Sequence, residues 1–379
     1  MFLSNRLKGK EFLFNRSERL NRPQSRWVFS LTLILLILLT LGMANLYSAS
    51  LGQSYFYRQL RNLIVIVPAF IFCAYFVSIR KVYHYAWWIY FFACLLLFVV
   101  VVLGKVAGGA QRWVFIGPFG FQPSEFAKLV TAIITARYFA GQRIMTAYRL
   151  RELWPILSII GILFVLIFVQ PDFGTAGMCL LIFLSQIFFV RIDYRSIMLV
   201  GVASPVVGAL GWILALRPYQ KLRILNLFNP ELDPQNTGYN SLQSLIAIGS
   251  GDLFGKGFMK GTQAHLKFLP ERHTDFVFSV LSEEHGLFGG MIVFLLFTLL
   301  AYVTLEIARH ARDTFSSMLA VGIAAFIFLE FAINIAMVLG LFPVVGLPLP
   351  FFSYGSSNLL TVCMALGLLV SINRESLRD

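Results

Sequence analysis

Ten apolar runs, at about 27–49, 62–79, 84–103, 125–140, 154–169, 173–190, 196–216, 275–307, 315–341 and 351–372, divide this chain of 379 residues. A helix crosses the ~30 Å hydrocarbon core of a bilayer in about 20 residues, the length scale of these runs. In hydrocarbon the backbone must satisfy its own hydrogen bonds. The pattern therefore predicts an all-α polytopic membrane protein with about ten transmembrane helices over residues 27–372. Composition agrees, since 58% of residues are hydrophobic and 13% charged, outside the range of soluble domains. The runs at 125–140 and 154–169 are short for a full crossing.

The net charge of +13 comes from Lys and Arg placed beside apolar runs. That arrangement argues for anionic headgroups and against nucleic acid. Residues 1–26 carry Arg6, Lys8, Lys10, Arg16, Arg19, Arg22 and Arg26, a basic tail that suits either an anionic leaflet or a disordered segment. If this tail lies inside, the loops on its side collect Arg80, Lys81, Arg137, Arg143, Arg149, Arg151, Arg191, Arg195, Arg309 and Arg312, and residues 373–379 add Arg374 and Arg378. The short loops opposite hold Arg58, Arg61, Lys105 and Arg112. The positive-inside rule then places both tails in the cytoplasm and one long polar loop, Arg217–Thr274 between helices 7 and 8, outside. The run after Trp27 is too long for a cleaved signal peptide. Cys73, Cys94, Cys179 and Cys363 fall inside apolar runs without CxxC spacing, so neither disulfide nor metal is expected from them. No repeat of fixed period appears, and no pair of runs is interrupted symmetrically as in inverted-repeat transporters.

Four polar clusters interrupt this pattern. In GGAQRWVFIGPFGFQPSEFAKL (108–129), Ser124 is a candidate N-cap and Glu125 and Lys128 share one helical face. Such a pair inside a membrane helix marks either a cavity wall or a salt bridge between helices. In QPDFGTA (170–176), Pro171 ends one helix and Asp172 opens the next, where it caps or serves chemistry. PFFSYGSS (350–357) follows a proline-rich stretch and enters the last run through small residues that allow close packing. The fourth cluster, KFLPERHTDF, ends in Asp275 at the head of a long apolar run, with Lys267, Glu271, Arg272 and His273 before it and Glu283 and Glu284 beyond. Asp275 is either an N-cap or a reactive acid. His265 and His273 lack the spacing of a zinc site.

These clusters, together with NPELDPQNTGYNSLQSLIAIGSGDLFGKG, GTQAHLKFLPERHTDFVFSVLSEEHGLFGG and NIAMVLGLFPVVGLPLPFFSYGSSNLL, resemble the SEDS proteins (shape, elongation, division and sporulation). Those are ten-helix peptidoglycan glycosyltransferases of the bacterial cytoplasmic membrane, and the wording looks more like the elongation branch than the division branch. His285 and Ser356 depart from the family's usual wording. The resemblance implies polymerisation of lipid II, the undecaprenyl-pyrophosphate-linked disaccharide pentapeptide, on the outer face of the membrane. The sugar 4-hydroxyl attacks an anomeric carbon and displaces lipid pyrophosphate with inversion, which requires a base and a means of neutralising the leaving group. It implies Asp275 as general base and substrate contacts from Arg112, Glu125, Lys128, Asp172, Arg223, Gln243, Ser244, Lys267, Glu271, Arg272 and Ser353. Arg112, Lys128, Arg223, Lys267 and Arg272 are the candidates for the pyrophosphate. A divalent cation such as Mg or Mn is left open.

Two other readings stay open, a lipid II flippase and a non-catalytic scaffold of the cell-wall machinery. The outer loop ending in an acid favours surface chemistry. No SxxK with matching SxN and KTG elements is present, so crosslinking needs another protein. The resemblance implies a class B penicillin-binding protein, alongside other elongation-complex membrane proteins. Its expected docking face is the run 315–341, where Ala320, Gly322, Ala324 and Ala325 would admit a close helix.

Overall fold

The computed structural model describes residues 25–377 apart from 53, 108–109, 117–118, 143–146, 191, 230–236, 267 and 270. The helices are α1 (Ser25–Ala49), α2 (Ser54–Tyr75), α3 (Ile79–Leu103), α4 (Pro123–Gly141), α5 (Leu150–Val169), α6 (Phe173–Phe188), α7 (Tyr194–Leu210, extended by a π-helical turn Gly211–Ala215), α8 (Pro218–Phe228), α9 (Thr237–Ser250), α10 (Thr262–His265), α11 (Val277–His310), α12 (Thr314–Val338) and α13 (Ser356–Leu377). Every expected apolar run emerges as a helix. Eight of these helices are long and apolar enough to cross a membrane: α1, α2, α3, α5, α7 with its π turn, α11, α12 and α13.

The remaining two runs form α4, which is more polar, and α6, which is apolar but only 16 residues long. Both lie inside the bundle, α4 against α3, α6, α12 and α13, and α6 against α4, α5 and α12. A helix surrounded by protein need not be apolar, so α4 accommodates buried Ser124, Glu125, Lys128, Thr131 and Thr135. Burial is graded outward from this centre: the most apolar windows of α13 and α12 are 89% and 61% buried, those of α2 and α3 22%, and that of α7 not at all. The expected docking face on α12 is therefore corrected. Of the four small residues Ala320, Gly322 and Ala324 are buried and Ala325 is partly exposed, and a Cβ added at Gly322 would lie 2.6 Å from Gln186 Nε2 and 2.8 Å from the Ala132 Cβ. These small residues bring α12 close to α4 and α6 rather than to a partner.

The bundle's two ends are distinct. At one end Arg272 Nε donates to the Ala49 carbonyl closing α1 (2.8 Å), and Ser356 Oγ, opening α13, donates to Gly120 O (2.6 Å). At the other end the Glu375 carboxylate accepts from Ile79 N (2.8 Å) and Arg374 donates to Tyr75 O (2.9 Å). The start of α1 and the end of α13 thus share the face opposite the 217–274 segment.

Two elements were not expected. Residues 105–121 form a small antiparallel meander, β1 (Lys105–Ala107), β2 (Ala110–Ile116) and β3 (Phe119–Phe121), with Lys105 opposite Trp113 and Val114 opposite Phe121. β-branched and aromatic residues make up most of β2 and β3 (Trp113, Val114, Phe115, Ile116, Phe119 and Phe121), so an extended conformation is preferred there. Half of the expected outer loop is also helical, in α8, α9 and α10. Its helix α9 is held to the bundle by Ser244, whose hydroxyl meets Ser279 Oγ (2.9 Å) and donates to Val338 O (2.7 Å).

α11 is broken at Gly286, which adopts φ 65° and ψ −162°. The segment 251–257 docks backbone to backbone into that break. Lys256 N donates to Glu283 O (3.0 Å), Gly257 N to Glu284 O (2.9 Å), Leu287 N to Asp252 O (2.9 Å) and Phe288 N to Leu253 O (3.2 Å). Non-helical backbone in a membrane protein requires such partners. The buried Glu283 carboxylate fixes the following residues by accepting from Lys256 Nζ (2.7 Å), Thr262 N (2.7 Å), Thr262 Oγ1 (2.9 Å) and Gln263 N (3.1 Å). Glu284 accepts from Ser48 Oγ, whereas the ring of the exposed His285 meets Leu281 O.

Candidate active site

Residues 271–276 form a turn before α11, with Thr274 N and Phe276 N both donating to Glu271 O (3.2 Å each). The N-cap position of α11 belongs to Phe276 and carries no side-chain cap, so the capping alternative for Asp275 does not hold. Among the described residues none donates a hydrogen bond to the Asp275 carboxylate. The group is partly buried, and Gly346 lies beside it, where an added Cβ would be 3.5 Å from Oδ2. Burial pushes its pKa up from 3.8 to about 6 and Glu271 adds to this, while Arg223 and Arg112 oppose. A carboxyl in this range accepts protons near neutrality while ionising readily.

Arg112, on β2, acts electrostatically on this acid, and Asp172, at the start of α6, stands beside Arg112. Arg112 on β2 donates to Gln170 O (3.1 Å) and Pro171 O, and sits 3.8 Å from Asp172 Oδ1. Asp172 is the N-cap of α6, the first of the two roles open to it, accepting from Thr175 N (3.4 Å) and Thr175 Oγ1 (3.0 Å). Its other oxygen accepts from Gln122 Nε2 (3.1 Å) and Ser124 Oγ (3.0 Å). The cap expected at Ser124 is instead Gln122, followed by Pro123 at the first helical position, where proline is pre-organised. On α8, Arg223 lies over the Tyr219 ring at 5.8 Å. Burial lowers its pKa, and it feels the charges of Tyr219, Asp275, Arg112 and Asp172. Its guanidinium remains a cation and has no carboxylate partner among the described residues. Tyr55 closes one side, stacking on His273 at 4.0 Å and meeting Tyr354 edge-on at 5.1 Å.

The Glu125 and Lys128 pair is present and has a third member. Lys128 Nζ lies 2.7 Å from Glu125 Oε2 and 2.7 Å from Glu330 Oε1, with no exposed surface. Asn358 Nδ2 donates to both acids, at 2.9 and 2.6 Å. Lys128 thus ties α4 to α12, Asn358 ties both to α13, and the lysine's charge is matched by two carboxylates. Arg272 is likewise buried, against Ala49 O. Glu271 is exposed and accepts from Thr274 Oγ1 (2.8 Å). Ser244 is buried in the packing of α9, with Gln243 partly exposed beside it. Ser353 holds Thr274 O (2.6 Å). Lys267 lies outside the described residues.

Of the expected contacts, Arg112 and Arg223 act on Asp275, and Asp172 joins the group through those two arginines. Sequence reasoning missed Gln122, Glu330, Asn334 and Asn358. For Glu330 and Asn334 a signal existed, since polar side chains inside an apolar membrane run are expensive and seldom idle. Among the described residues no group of three or more His, Cys, Asp or Glu is placed to hold a metal ion. A Mg- or Mn-type cation would take most of its ligands from substrate phosphates and water.

A bundle of membrane helices that opens at one end onto an acid, an arginine-lined wall and an aromatic edge defines a multi-pass membrane protein with a charged surface site. The profile of the FtsW, RodA and SpoVE family, described as cell cycle proteins, matches residues 26–378. The chain is 41% identical over 284 residues, 74% of its length and 75% of the relative's, to the peptidoglycan glycosyltransferase MrdB of Escherichia coli strain K12. It matches, with a TM-score of 0.79 and 29% identity over 93% of its length and 98% of the other chain, a structure described as the structural coordination of polymerization and crosslinking by a peptidoglycan synthase complex. The crystal structure of the Thermus thermophilus rod shape determining protein RodA matches with a TM-score of 0.69 and 28% identity over 92% of this chain and 97% of that one. The chain belongs to the FtsW/RodA/SpoVE family.

Proposed function

We propose that the chain is a peptidoglycan glycosyltransferase that polymerises lipid II, with Asp275 as general base. The observation that carries this reading is the Asp275 carboxylate, partly buried, raised to about 6, unbonded by any described donor and opposed by Arg223 and Arg112. In this mechanism Asp275 takes the proton of the acceptor sugar's 4-hydroxyl as that oxygen attacks the donor's anomeric carbon. The bond to the pyrophosphate oxygen breaks on the opposite side, which inverts the centre. Arg223 and Arg112 are the cations placed to meet the leaving pyrophosphate, since preplaced charge in a poorly solvated site stabilises developing anion strongly. The segment 217–274 then lies on the outer face of the cytoplasmic membrane, in keeping with the bias of Lys and Arg toward the opposite loops. Crosslinking falls to a class B penicillin-binding protein, a partner supported by the similarity to a chain of a peptidoglycan synthase complex.

The test is glycan synthesis from purified lipid II, normalised to folded protein. Asp275→Asn is expected to lose about 10²–10⁴-fold in rate, the usual contribution of a general base. Turnover near wild type would remove the assignment. Arg223→Ala is expected to lower the rate while leaving the protein folded.

A further inference from the structure

Three successive carbonyls of the Asp275 turn are each held by a different donor. His273 O accepts from Tyr354 N (2.8 Å), Thr274 O from Ser353 Oγ (2.6 Å) and Asp275 O from Asn334 Nδ2 (3.0 Å). The donors are themselves fixed to the proline-rich stretch. Asn334 Nδ2 also donates to Leu347 O (2.7 Å), and Ser353 Oγ accepts from Leu349 N (2.7 Å). That stretch is wedged in turn. A Cβ at Gly174 on α6 would lie 2.7 Å from Val345 O, and one at Gly42 on α1 would overlap the Phe351 carbonyl. Asn334 is fully buried and Ser353 nearly so, so solvent competes little with these bonds.

We propose that Asn334 and Ser353, with the Tyr354 amide, are positioning residues that clamp the turn and thereby set where the Asp275 carboxylate stands. The proposal rests on the reading of Asp275 as the base. With no described donor on the carboxylate itself, its place is decided by its backbone, and its backbone by the clamp. A base must be held to within about 0.5 Å of its working position, and a misplacement of about 1 Å costs on the order of 10²-fold. The turn precedes α11 and does not belong to its hydrogen-bonded ladder, so the helix alone does not supply that precision.

The experiment uses the full-length protein with purified lipid II and pairs kinetics with hydrogen exchange of peptides covering residues 271–280. Asn334→Ala and Ser353→Ala are expected to lower kcat about 10- to 100-fold with KM little changed, while Ser353→Thr, which keeps the donor, retains activity. In both alanine variants exchange over the turn should quicken. The acid limb of the rate profile, set by a group near pH 6 in the wild type, should move to lower pH as the freed carboxylate gains water. Unchanged exchange together with an unmoved acid limb would overturn the clamp, as would a loss confined to KM. If Asn334→Ala does not fold, the Ser353→Ala and Ser353→Thr pair decides. If Asp275→Asn stays active, the base assignment falls by itself, and the exchange measurement still decides whether the turn is clamped.

Discussion

Asp275 ionises late chiefly because burial penalises its charge, and that has a consequence for stability as well as rate. Its folded-state pKa of about 6 exceeds the ordinary carboxylate value of 3.8, so the folded protein holds this proton more tightly than the unfolded chain. Below the ordinary value both states are protonated and the residue is neutral toward folding. As pH rises the cost of ionising it grows, and above about 6 it is complete. Asp275→Asn should therefore raise the melting temperature at neutral pH, with the gain fading toward pH 4, as differential scanning fluorimetry in detergent can establish. A difference that stays constant across that range contradicts the burial argument. Lys128 behaves in the opposite way. Removing it strands Glu125 and Glu330, and breaking a buried pair costs roughly 3–5 kcal/mol. Exchanging the charges of Glu125 and Lys128 should not rescue the fold, because the new acid would face Glu330. Monodisperse yield on size exclusion measures both outcomes.

Helices were easy to read because an apolar run of membrane length has few other options. What interrupts them was harder. GLFGG within the run 275–307 reads as continuing helix, and the break at Gly286 becomes visible only when GDLFGKG, distant along the chain, fills it with four backbone hydrogen bonds. The small sheet was missed because three- and seven-residue strands are weak beside so much apolar helix. Asp275 was legible from its motif and its place at a polar-to-apolar boundary. Its clamp was not, since Asn334 lies 59 residues away and no local pattern pairs the two. The break carries its own prediction. Gly255 has φ +79°, and an added Cβ would overlap the Glu284 carbonyl, so Gly255→Ala both strains the backbone and evicts the docked segment. Loss of folded protein by thermal denaturation is expected, and a melting temperature near wild type would show that the segment is not needed to seal α11.

Across the whole molecule, α12 and α13 form a buried axis and α2, α3 and α7 an exposed rim. The small residues of α12 are used within the chain, so the helix surface left open at that rim carries larger side chains, among them Phe72, Trp88 and Phe92. Gly322→Leu should accordingly abolish folded, monodisperse protein instead of selectively weakening copurification with a transpeptidase. A folded variant that merely lost its partner would restore α12 as the docking face. The clamp on residues 273–275 has one more consequence. It grips main-chain oxygens, so exchanging the side chains at 273 and 274 would forfeit the Tyr55 stacking and the Thr274–Glu271 bond yet leave all three grips in place, and the acid's position is insulated from the identity of its neighbours.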